Sequence, residues 1–226
     1  MKAIVFGATG MVGQGVLREC LLDEAVSEVL VAGRTATGVE HPKLREIVHP
    51  DLEELMSGAG IEDELSGYDA CFFCLGVSSA GMKQEAYHRV TYDLTLTVAR
   101  ALAAWNPDLT FVYVSGQGTD SSEQGRTMWA RVKGKTENHL LTLPMRTYLF
   151  RPGYIQPMHG ITSKTPLYRA LYAVVAPLYP LIRKLAPNRI TSTEQLGRAM
   201  ITVATVGAPH HVLHAREINE AAVRSL

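Results

Sequence analysis

The opening residues carry the pattern that most restricts what this chain can become. An apolar run, Ala3-Ile4-Val5-Phe6, leads into glycines at Gly7, Gly10 and Gly13, and then into Val16, Leu17 and Leu21 at helical spacing. An unbroken apolar run of this length suits a strand buried on both faces, as strands of a parallel sheet are. One glycine permits a tight strand-to-helix turn, one lets an anion approach the backbone, and one lets the helix lie close on the strand. The helix then directs its unpaired N–H groups and the positive end of its dipole at that anion. Such spacing is weak evidence alone, but between a strand and a helix it reads as a dinucleotide-binding turn. Gly7, Thr9, Gly10, Met11, Val12 and Gly13 are therefore the expected pyrophosphate-side residues.

Strands are expected at Glu28–Ala32, Leu44–Val48, Ala70–Leu75, Leu109–Val114 and Arg146–Phe150. Helical patterns separate them at Met11–Leu22, Glu53–Leu65 (broken near Gly58 and Gly60), Glu85–Ala104 and Thr127–Leu143. That alternation implies an α/β fold: a Rossmann-like, doubly wound parallel sheet with helices on both faces. With 226 residues, 46% of them hydrophobic and 19% charged, one domain spanning 1–226 is expected. Residues 154–190 leave the alternation and read as a small C-terminal helical lid or an interface between copies. Within them Ala170–Ile182 is uncharged but interrupted by Pro177 and Pro180. It is shorter than the roughly 20 residues a bilayer span needs. A lid or a homo-oligomer surface is favoured over membrane contact, although Arg169, Arg183 and Lys184 flank the stretch. Thr191-Ser192-Thr193-Glu194 then offers a capping box for a helix reaching Val206, and Val212–His214 a last short strand.

Lysine plus arginine and aspartate plus glutamate balance at 22 each, so no net field draws nucleic acid or an anionic membrane. No charged and apolar leader precedes the first strand, and the cysteines are three, Cys20, Cys71 and Cys74. Both features are read as a cytoplasmic protein with reduced thiols. Cys71 and Cys74 have redox-motif spacing, but on a strand they point to opposite faces, as buried structural thiols would. His210, His211 and His214 have no cysteine cluster beside them, so no metal is expected.

Ligands of such sheets bind outside the carboxyl ends of the strands. The second strand ends at Gly33-Arg34-Thr35, about 20 residues past the glycines, where the adenosine ribose is met. An acid there would bind the ribose 2′-hydroxyl. Arg34 instead suits a 2′-phosphate and favours NADP over NAD, unless it is simply a solvated loop residue. Asp51 faces the adenine, caps the helix beginning at Leu52, or does both. Leu75-Gly76, followed by Ser78 and Ser79, brings backbone and hydroxyls to the cofactor. The fifth strand delivers Ser115 and a glycine-rich loop, Gly116 to Gly125. Lys133 and Glu137 have the i, i+4 spacing of a surface pair. The sixth strand ends at Arg151-Pro152-Gly153-Tyr154.

The glycine turn, Cys74-Leu75-Gly76, Ser115, Lys133-Gly134 and Arg151-Pro152-Gly153 together resemble the short-chain dehydrogenase/reductase superfamily over nearly the whole chain. The match is nearest its atypical members, the Tat-interacting oxidoreductase subgroup and its bacterial relatives. The resemblance implies a cofactor held by the glycine turn, Leu75, Gly76, Lys133, Arg151, Pro152 and Gly153. It also implies a catalytic serine, tyrosine and lysine, with lysine four residues after tyrosine. Serine orients the substrate carbonyl, tyrosine moves the proton, and lysine holds the nicotinamide ribose and lowers the tyrosine pKa. Ser115 and Lys133 fall on the first and last positions; Trp129 occupies the tyrosine's place. An indole N–H donates a hydrogen bond but transfers no proton near neutrality, and losing a general acid costs a factor of about 10² to 10⁴. Either Tyr154 supplies the proton, or the acceptor is quinone-like and needs little help. The leading reading is an NADP(H)-dependent oxidoreductase acting on a small carbonyl or quinone-like acceptor. A non-catalytic NADP(H)-sensing module is the alternative, and a nucleotide-sugar epimerase a weaker one.

Overall fold

In the computed structural model, which describes residues 1–162 and 189–223, the apolar runs become strands. These are β1 (Lys2–Phe6), β2 (Glu28–Gly33), β3 (Leu44–Val48), β4 (Ala70–Phe73), β5 (Thr110–Val114), β6 (Arg146–Arg151), β7 (Tyr154–Gln156), β8 (Ile190–Ser192) and β9 (Val212–His214). The main sheet has the order β3-β2-β1-β4-β5-β6-β9 and every pairing in it is parallel. β7 and β8 form a separate parallel pair. The helices are α1 (Met11–Leu22), α2 (Leu52–Met56), α3 (Ile61–Leu65), α4 (Gln84–His88), α5 (Leu94–Trp105), α6 (Met128–Leu140), α7 (Thr193–Val206) and α8 (Ala215–Ala222). A π-helical turn, Arg89–Asp93, joins α4 to α5.

Strand periodicity divides the core in two. Ala3 and Val5 of β1, with Val29, Phe72 and Val112, pack under Val16 and Cys20 of α1, Leu196 and Met200 of α7, and Ile218 of α8. Ile4 and Phe6, with Leu30, Phe73 and Phe111, pack under Leu52 of α2, Leu96 and Leu102 of α5, and Leu140 of α6. Both faces of β1 are thus covered, which is why its sequence is apolar without alternation. The three cysteines are unpaired; Cys71 belongs to the second cluster and Cys74 packs against the first, on opposite faces.

From β1 the chain builds outward through β2 and β3, then crosses back to place β4 on the other side of β1. The carboxyl ends of β1 and β4 therefore diverge into a crevice. Gly7, just past β1, adopts φ +81°, which a side chain rarely tolerates. A Cβ on Gly13 would stand 2.1 Å from the Gly7 carbonyl oxygen, so the first turn of α1 sits directly on the turn that precedes it.

Two expectations shift. The capping box of α7 begins one residue later than the sequence suggested, with Ser192 as the cap and Gln195 as its partner, because Thr191 is buried in β8. β4 ends at Phe73, leaving Cys74-Leu75 as cleft-wall backbone. Most of the 154–190 lid, including the apolar stretch 170–182, lies outside the described residues.

Gly13→Ala is expected to destabilise the fold by about 1–3 kcal/mol through overpacking. Gly33→Ala, whose new Cβ meets nothing nearer than 3.7 Å, should stay within about 0.5 kcal/mol. Urea unfolding of the two variants checks the contrast.

Candidate active site

At the carboxyl edge the structure opens a cleft of ≈ 590 Å³. Its floor is the start of α1: Gly10, Met11 and Val12. Gly10, the N-cap, has no side chain to cover the helix end, and the first turn holds no acidic residue. The Gly10 amide turns back to the Gly7 carbonyl at 3.0 Å, and Gln14 donates to the Gly10 carbonyl at 2.8 Å. The amides of Met11 and Val12 lie before that bond and are orphan donors by position. At α2 the amides of Glu53 and Glu54, which correspond in position to those of Val12 and Gly13, are satisfied by the Asp51 carboxylate at 2.8 and 3.2 Å. Those two backbone bonds hold the Asp51 pKa below the usual carboxylate range. Asp51 thus caps its helix, while the Leu52 side chain is buried in the core.

Leu75 and Gly76 form the wall after β4, Ser115 to Gln117 the wall after β5, and Pro152-Gly153 the wall after β6. Trp129 and Lys133, one helical turn apart on α6, line the same space. A Cβ on Gly7 would lie 2.7 Å from the Leu75 amide nitrogen, so the glycine turn and the β4 wall touch. Arg34 stands exposed at the end of β2 and makes no ion pair among the described residues. Thr9 faces a neighbouring depression beside Arg18 and Thr37 rather than the main cleft.

Beneath the cleft the structure revises the chemistry. Glu137 is 1% exposed and does not form a surface pair with Lys133. Its carboxylate accepts from the Ser115 hydroxyl and from Arg151 Nε at 3.0 and 3.1 Å, and Arg151 Nη2 also reaches it. A buried charge requires such a partner. Arg151 is therefore drawn off the cleft wall, and its guanidinium binds Glu137 and the Ser121 hydroxyl instead of facing the cofactor's place. The Ser115 hydroxyl is likewise turned toward Glu137. Lys133 Nζ donates to the Ser115 carbonyl. Burial lowers the Lys133 pKa to about 8, against the opposing pull of the Glu137 charge. Burial pushes the Cys74 thiol up to about 12, so it stays protonated.

Tyr154 does not line the cleft. Its hydroxyl donates to Gln156 Oε1 at 3.0 Å, and the residue that reaches the wall is Ile155, as strand alternation requires. Gln117 and Ile155 join the site with no signal in the sequence. Glu137 left one: it occupies the inward stripe of α6 with Ala130, Gly134 and Leu140, a spacing that marks a buried position. His211 and His214 serve structure: the first contacts the Thr147 carbonyl at 2.8 Å, the second caps α8.

Arg151→Met would leave the Glu137 carboxylate unpaired in the interior and is expected to cost about 3–5 kcal/mol. Arg151→Met combined with Glu137→Leu should recover much of that loss. Denaturant unfolding of the single and double variants measures both.

No family model matches the chain. It is 30% identical over 157 residues to the mitochondrial protein FMP52-1 of Scheffersomyces stipitis, covering 69% of this chain and 67% of that one. Over 157 residues it is 29% identical to the protein HTATIP2 of Rattus norvegicus, covering 68% and 62%. Among solved structures it matches the Bordetella bronchiseptica enzyme WbmF in complex with NAD+, with a TM-score of 0.65 and 17% identity over 98% of this chain and 76% of that one. These relatives correct the cytoplasmic expectation: the FMP52 proteins are named mitochondrial. Unpaired thiols fit any compartment that keeps them reduced, so they carried no information about which one. The glycine turn, the parallel sheet and the relatedness to FMP52 and HTATIP2 together place the chain in the atypical short-chain dehydrogenase/reductase family of NAD(P)-binding Rossmann oxidoreductases.

Proposed function

We propose that this protein is an NADP(H)-dependent oxidoreductase that reduces a small carbonyl or quinone-like acceptor. One observation carries the reading: a single cleft joins the uncapped start of α1 to the Lys133 ammonium. The residues fit a nicotinamide dinucleotide. Orphan amides of Met11 and Val12 would receive the pyrophosphate, and Arg34 would pair with a 2′-phosphate. Leu75-Gly76 and Pro152-Gly153 would flank the nicotinamide end. The bound dinucleotide supplies the hydride. The chain's own residues orient the acceptor and stabilise the negative charge that develops on its oxygen. Lys133, a cation in a partly dry wall, is placed to do the second.

Trp129 favours a second reading. With indole where the family has its proton-moving phenol, the fold would keep dinucleotide affinity and act as an NADP(H)-responsive binding module. Trp129→Tyr separates the two. Activity that appears only in this variant supports the module; activity already present in the wild type supports the enzyme.

Calorimetry tests the cofactor assignment. NADPH is expected to bind at least tenfold more tightly than NADH. Arg34→Ala should weaken NADPH by about 1.5–3 kcal/mol while leaving NADH nearly unchanged. Equal affinities in the wild type would remove the 2′-phosphate assignment, and binding of neither would remove the dinucleotide.

A further inference from the structure

We propose that Lys133 is the proton donor of this site, delivering from Nζ to the substrate oxygen the proton that a tyrosine delivers elsewhere in the family. The inference rests on the oxidoreductase reading and deepens it. Among the described residues of the cleft, three observations set aside the other candidates. Trp129 has no transferable proton near neutrality. The Ser115 hydroxyl is directed at buried Glu137, away from any acceptor in the cleft. Tyr154 lies off the wall with its hydroxyl on Gln156. Lys133 is left, with its ammonium on the cleft surface and one of its donors fixed on the Ser115 carbonyl. An ammonium has three donors, so one bond to the protein aims the group without exhausting it.

The surroundings support the assignment. Burial brings the Lys133 ammonium within reach of neutral pH, at about 8, where it is mostly charged yet able to release a proton. Around this end of α6 the described titratable groups are few. On its own helix Glu137 lies one turn on, and its charge is balanced by Arg151 of β6. From β5, Tyr113 is buried and its pKa raised by desolvation; Cys74, past β4, remains a thiol. In the loop after β5, the Asp120 carboxylate is taken up by Ser122 and Gly125. None of these is free to protonate the substrate.

The reaction balances. The carbonyl carbon takes a hydride, with its electron pair, from a reduced nicotinamide dinucleotide. The π pair of the C=O bond moves to oxygen, and an N–H bond of Lys133 breaks as the new O–H bond forms. The neutral amine regains a proton from water, so the sum is carbonyl, reduced cofactor and one proton giving alcohol and oxidised cofactor. The Ser115 carbonyl that aims Lys133 belongs to backbone tied to β6, where the Ser115 amide donates to the Phe150 carbonyl at 2.9 Å.

The test pairs two probes, 4-nitrobenzaldehyde, whose alkoxide product must be protonated, and 9,10-phenanthrenequinone, whose reduced anion is stable without a proton. Lys133→Met is expected to slow single-turnover reduction of the aldehyde by a factor of about 10² or more. Because this change also removes the cation that steadies the acceptor's oxygen, quinone reduction should slow as well, but at least tenfold less than aldehyde reduction. Lys133→Arg keeps the charge and the hydrogen bond but holds its proton, and should be as slow as Lys133→Met on the aldehyde. In the wild type, aldehyde reduction should fall above about pH 8, and more steeply than quinone reduction, which loses only the charge and not the proton. A readout without turnover is the Nζ chemical shift of Lys133 in the cofactor-free protein, expected to titrate near pH 8.

Rescue by Lys133→Arg, an equal loss with both probes, or an Nζ midpoint above about pH 10 would each overturn the assignment. NADPH binding by the wild type with no aldehyde reduction would also overturn it, while leaving the dinucleotide site intact. Absence of NADPH binding would bring down the oxidoreductase reading itself.

Discussion

The N-terminal end of α1 carries amides that the helix cannot bond internally and that no N-cap side chain satisfies among the described residues. A helix start cannot bond its first N–H groups internally, and at most termini a side chain does so. Here the N-cap is glycine and the first turn is free of acids, and the helix rests so closely on its own turn that Gly13 admits no Cβ. With glycine as the N-cap, such an arrangement gives up only a few tenths of a kcal/mol relative to a polar cap and leaves an anion-seeking end at the place where β1 and β4 diverge. The parallel sheet, its crossover and its two-faced core put that end at the floor of a cleft.

A second constraint sits below the cleft wall. Glu137 brings a carboxylate into the interior, and Arg151, Ser115 and Ser121 gather around it from β6, the end of β5 and the following loop. This cluster ties α6 to two strand ends, and it decides which groups remain available for chemistry. A serine that the resemblance assigns to catalysis and an arginine that it assigns to the cofactor are both bonded to this buried acid. The lysine one turn away stays on the surface of the cleft with its pKa lowered by burial. Trp129, which the resemblance puts in the place of a proton-moving tyrosine, is therefore matched by a second departure, because the Ser115 hydroxyl is directed at Glu137.

The strands and the sheet's handling of both faces were legible in the sequence because burial of β1, β2 and β4 on two sides demands uninterrupted apolar runs. The glycine turn was legible because backbone geometry leaves glycine little competition there. Side-chain direction at strand ends was harder to read. Whether Arg151 faces a cofactor or a buried acid depends on Glu137, a residue from another element, and i, i+4 spacing alone suggests a surface pair. The same limit applies to Tyr154, which alternation turns from the cleft while presenting Ile155. The one-residue shift of the α7 cap follows from burial of Thr191 in β8, a pairing between segments far apart along the chain. Local pattern identifies elements; the partners of charged groups are settled by packing.

The account rests on an anion bound by the backbone at the start of α1. Backbone amide chemical shifts of the 15N-labelled protein, recorded as NADPH is added, read that contact directly. The largest downfield shifts are expected at Met11 and Val12, with smaller ones at Leu75 and Gly76 and none along α8. Saturable shifts that spare the first turn of α1 and cluster elsewhere would contradict it.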